Sequence, residues 1–107
     1  MDSNELVREI NDNLSMTVAP GIGMDELNEL VAVHVNRLIQ TDFQKLIYVL
    51  YRVDVSELKL KQLLQQNPGT DAGKLIASLI IERQVQKIES RHQHGKRTDD
   101  FAGEEKW

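Results

Sequence analysis

Few side chains in this sequence have the type and spacing to do chemistry. Glu89 and His92 stand three apart, which on a helix sets a carboxylate and an imidazole on one face, as in carboxylate-bridged metal bundles. Those centres use the pair twice and add two further glutamates. Here it occurs once, with His94 beside it, so the expectation is loose coordination at most and no cofactor. His34 falls inside an apolar stripe, with no second histidine or carboxylate at a matching position. It reads as a hydrogen-bonded core or interface side chain. Gly69 to Leu75 imitates a phosphate-binding loop and fails. The glycines are too close, Leu75 stands where a Ser or Thr must reach magnesium, and no strand is expected before it. No Ser or Thr pairs with a base, and the carboxylates are spread over polar faces. No catalytic residue is assigned, and the chain is not expected to be an enzyme.

Cations offer a second chemistry. Arg83, Lys87 and Arg91 recur at four-residue spacing, a basic stripe able to meet phosphates or a partner's acidic face; a solvated helix face gives the same pattern. Phe43 to Gln66 permits a helix-turn-helix reading, with Lys59, Lys61 and Gln62 on the second helix. Its turn lacks glycine and the whole chain is acidic, so two packed helices account for it better. Net charge is −4, unevenly distributed. Residues 1–30 carry Asp2, Glu5, Glu9, Asp12, Asp25, Glu26 and Glu29 against Arg8 alone, while residues 43–97 are basic on balance. Such asymmetry can steer association. It also arises when acidic and basic parts simply face each other or water.

The elements that would position these groups are all helical. With 107 residues there is room for one core, and 5% aromatic content means Leu, Ile and Val must build it. No cysteine is present, which excludes disulfides and thiolate metal sites. The acidic start is unlike a signal peptide, and no apolar run approaches a membrane span, so a cytoplasmic setting with no membrane partner is expected.

Periodicity places a first helix from Asn4 to about Ser15, with Leu6, Val7, Ile10 and Leu14 on one face. Pro20, Gly21 and Gly23 break the chain, and Met16 and Val18 are available to pack beneath this loop. A second helix runs from Met24 or Asp25 to Gln40, burying Leu27, Leu30, Val31, His34, Val35 and Leu38. Thr41 with Gln44 matches a capping box for a third helix, Phe43 to Arg52, expected to bury Phe43, Leu46, Ile47 and Leu50. Asp54 with Glu57 suggests the same device for a fourth, Val55 to Gln66, carrying Leu60, Leu63 and Leu64. Asn67, Pro68 and Gly69 stop it.

Thr70 or Asp71 then caps the helix around which the rest is organised, reaching His92. It has two apolar stripes: Ala72, Leu75, Ile76 and Leu79 on one side; Ala77, Ile81, Val85 and Ile88 on nearly the other, with Ile80 between. A surface helix needs only one stripe, so this helix must be covered twice. The first stripe has partners in Leu27, Leu30, Leu38, Phe43, Leu46 and Leu50. The second is expected at a symmetric homodimer interface, the alternative being cover by the first helix within one chain.

Tyr51 to Glu57, followed by Leu79 to Gln84, resembles a pattern found in small uncharacterised bacterial helical proteins, over roughly Phe43 to His92. The resemblance implies a bacterial cytoplasmic setting and carries no activity or functional residue. The reading is therefore an all-α compact bundle of four or five helices, residues 1–94, with a flexible charged tail over 95–107. Phe101 and Trp107 stand among acids in that tail, a pattern able to dock on a basic groove. The expected function is protein–protein interaction, as a homo-oligomer or an accessory or regulatory subunit; the alternative is a nucleic-acid-associated protein using the basic 43–97 region.

Overall fold

A computed structural model describes the backbone of residues 3–101 and the side chains of residues 4–93. Five helices follow one another: α1 (Ser3–Leu14), α2 (Met24–Thr41), α3 (Phe43–Val53), α4 (Glu57–Gln66) and α5 (Ala72–Phe101). No strand occurs among the described residues, and the chain is an all-α bundle. The backbone of α5 passes through Gly95, where the sequence suggested an end, and continues to Phe101. The expected tail otherwise lies outside the described residues.

The central element is α5, which packs against each of the other four helices. Its first stripe buries Ile76 and Leu79, and Ile80 is buried too. The second stripe requires a correction. Ala77, Ile81 and Ile88 are buried within the single chain, and Val85 packs half-buried against the same core. α1 lies on α5 and places Leu6, Val7, Ile10 and Leu14 in the core. The stripe is thus covered from inside the chain and is not an exposed surface for a second copy.

The start of the chain is held there by its own turn. Ser15 adopts a left-handed conformation (φ 58), and the Met16 N–H donates to the Asn11 carbonyl at 3.1 Å, the bond that closes a helix C-terminus when the next residue turns left-handed. The Asn11 amide then pins the loop, donating to the Val18 carbonyl (3.1 Å) and accepting from the Val18 N–H (2.9 Å). Met16, Val18 and Ile22 pack against the core beneath it.

Both expected capping boxes shift. The N-cap of α3 is Asp42, whose carboxylate accepts from the Lys45 N–H at 3.2 Å. Thr41 belongs to α2 and donates its hydroxyl to the Arg37 carbonyl (2.8 Å). Asp54 starts no helix: it ends α3 in a left-handed conformation (φ 69, ψ 49). The Val55 N–H returns to the Leu50 carbonyl (3.0 Å), and both side chains pack against the core, as the left-handed terminus requires. Ser56 caps α4 through the Lys59 N–H (3.2 Å).

α3 is also rotated from the expected face. It buries Leu46, Val49 and Val53, with Leu50 half-buried, and exposes Phe43 (56%) and Ile47 (50%). The apolar side of the helix, opposite Lys45 and Arg52, is broader than the face it buries, so its own pattern could not choose within it; the one-residue link at Asp42 and contacts with α1, α2 and α5 set the rotation. Leu30 of α2 is likewise exposed. α2 and α5 approach closely at Gly73, where an added Cβ would lie 2.5 Å from the Asn36 side chain. Asn36 donates across to the Asp71 carboxylate (2.9 Å).

Candidate functional site

Two surface regions have the residue types for recognition. The first is the outward face of α3. Phe43, Ile47 and Tyr51 recur every four residues, with Gln44 and Tyr48 alongside, and none of the five is charged. Tyr51 is 85% exposed. The chain has only five aromatic residues, and three of them stand here in water. α4 extends this surface. It contributes no buried residue, and its backbone approaches α5 more closely than α3. A mainly apolar groove of about 390 Å³ is left between α3 and α4, lined by Ile47, Leu50, Tyr51, Val55, Leu60 and Leu64, with the Glu57–Lys61 ion pair also on its wall. Leu58 of α4 is 67% exposed. Large apolar side chains grouped this way mark an interaction surface more often than scattered ones do.

The second region is a cleft of about 420 Å³ where α1, α3 and α5 meet. It gathers the basic stripe Arg83, Lys87 and Arg91 with Arg52 from α3. Most of the stripe is already engaged. Arg91 pairs with Glu5 and Glu9 of α1, each at 3.4 Å. Arg83 pairs with Asp54 (3.2 Å) and donates from Nε to the Asp54 carbonyl (3.1 Å). Among the described residues Lys87 donates only to the Arg52 carbonyl (3.4 Å). Arg83 and Lys87 thereby sit on the C-terminal carbonyls of α3, where a helix end favours cations. The acidic beginning of the chain and its basic later part do face each other: Glu29 also meets Lys74 (3.8 Å).

Two of the three histidines are tied to the scaffold. His34 Nε2 lies 3.0 Å from the Leu14 carbonyl at the end of α1, and its pKa is lowered from 6.5, first by burial and then by Arg37 and Lys45. His92 meets Glu5 of α1 at 3.0 Å; no contact joins it to Glu89, the partner its spacing suggested. The His94 side chain lies outside the described residues. Among the described residues no group of three or more His, Asp or Glu is placed to hold a metal ion. The expected reading-helix cations are paired as well, Lys59 with Glu82 (3.1 Å) and Lys61 with Glu57 (3.4 Å).

Sequence reasoning missed two participants. Gln84 is 1% exposed, the one buried polar side chain among the described residues, and its Nε2 has no hydrogen-bond partner among them. Its signal is a glutamine seven residues after Ala77 and four before Ile88, within the second stripe. Arg52 gave no signal, because the rotation of α3 decides where it points. Comparison with protein-family models, curated proteins and solved structures finds no match to the chain. No described helix is long and apolar enough to cross a membrane.

Proposed function

We propose that the chain is a protein–protein interaction module without catalysis, and that it self-associates through the outward face of α3. The observation that carries this reading is the uncharged, aromatic-rich stripe of Phe43, Ile47 and Tyr51, with Tyr48 beside it. A well-packed helix normally turns such residues inward, and each half-exposed one forgoes roughly 1 kcal/mol of burial free energy.

A second copy fits the stripe better than an arbitrary partner. Phe43 and Tyr51 lie four residues either side of Ile47, so two α3 helices related by a two-fold axis at Ile47 would set Phe43 of each chain beside Tyr51 of the other. A closed two-fold contact of this kind uses one patch twice. The groove toward α4 widens the buried area.

Light scattering coupled to size exclusion tests this. The expected mass is twice 12.3 kDa at about 100 μM, well above a micromolar dissociation constant. Ile47→Asp and Tyr51→Asp are expected to give monomers with unchanged far-UV circular dichroism. A wild-type monomer at that concentration would rule out self-association.

A further inference from the structure

We propose that the cleft between α1, α3 and α5 is a binding site for a small molecule bearing a phosphate monoester or for inorganic phosphate itself. Three observations converge there. The cleft's volume of about 420 Å³ falls in the range of small-molecule sites. Two of its four cations are unmatched: the Arg52 guanidinium has no hydrogen-bond or ion-pair partner among the described residues, and Lys87 meets a backbone carbonyl but no carboxylate. Arg83 and Arg91, by contrast, are held by Asp54, Glu5 and Glu9. Two free positive charges suit a phosphate monoester, which carries about −1.5 to −2 near neutral pH.

Gln84 supplies the third observation. It is the only buried residue lining the cleft and so forms its floor, and its Nε2 donor is buried without an acceptor. An orphaned buried donor is costly and uncommon in a folded protein. With a ligand oxygen seated between Arg52 and Lys87, a turn of the terminal amide about its last, soft torsion would give that N–H an acceptor. Glu9 also lines the cleft; its carboxylate stays on Arg91 and sets the edge of the site. This cleft shares no lining residue with the α3–α4 groove, so the two surfaces can be tested by separate substitutions.

Calorimetric titration of the full chain with inorganic phosphate and with glycerol 3-phosphate at low salt tests the site. Saturable binding is expected below about 10 mM ligand, with roughly tenfold or greater weakening in Arg52→Ala and in Lys87→Gln. Equal affinity for the two probes identifies the free ion as the ligand, and tighter binding of the ester identifies an organic phosphate. Gln84→Met distinguishes a ligand-facing amide from a purely structural one. Removing the orphan donor is expected to raise Tm by about 5 °C while weakening phosphate binding roughly tenfold. No binding of either probe overturns the proposal. So does a Gln84→Met protein with unchanged affinity, or a short DNA duplex that binds through Arg52 and Lys87 where the monoesters do not.

Discussion

His34 sits half-buried on α2 with its Nε2 toward the last carbonyl of α1, and burial together with Arg37 and Lys45 lowers its pKa from 6.5. The unfolded chain therefore takes up a proton first as the pH falls. Stability from this residue is intact above the unfolded pKa and is lost as pH drops through the folded one. Wild-type stability should fall between about pH 7.5 and about pH 5.5, and His34→Gln, which keeps a donor for Leu14, should flatten that slope. Denaturation midpoints at the two pH values measure it. An identical slope in the variant would mean that His34 is not the titrating group. The sequence placed His34 in an apolar stripe and anticipated a hydrogen bond. It could not name Leu14, twenty residues earlier, because that partner is a backbone carbonyl freed by the end of another helix.

At the scale of elements, local signals located the first four helices and the start of the fifth to within about two residues, stopped α5 at His92 where it runs to Phe101, and misassigned the caps of α3 and α4. Thr41 and Asp42 are both capping types, as are Asp54 and Ser56, and adjacent candidates compete for one position. The winner in each case is the second. Asp42→Ala and Ser56→Ala are each expected to cost about 1 kcal/mol, and Thr41→Ala well under half of that, because its hydroxyl only returns to the Arg37 carbonyl. Urea midpoints of the three variants give the comparison; a Thr41→Ala loss as large as that of Asp42→Ala would put the cap back at Thr41. Asp54 escaped local reading for a different reason. Its left-handed conformation is usually a glycine's, and here it is accompanied by the pairing with Arg83, which lies on a helix nearly thirty residues away.

Across the whole molecule, α5 is an internal column covered by its own chain. Ile88 is fully buried beneath the same core as Leu6, Ile10 and Leu14, so Ile88→Ala should cost about 2–5 kcal/mol and lower the unfolding midpoint at any protein concentration. Were the stripe a dimer interface instead, that loss would depend on concentration. Composition and periodicity were enough to determine an all-α bundle of four or five helices, the approximate bounds of the first four and the start of the last, and the need to cover α5 on two sides. Those properties follow from hydrophobic spacing, breakers and caps, which act within a few residues along the chain. Tertiary structure alone decided which covering was used, how α3 is rotated, and that Arg52, Lys87 and Gln84 share one cleft. The apolar side of α3 is broader than the face it buries, so which part of it is covered depends on the neighbours that reach it in space. The cleft draws on α1, α3 and α5, segments that no local pattern brings together.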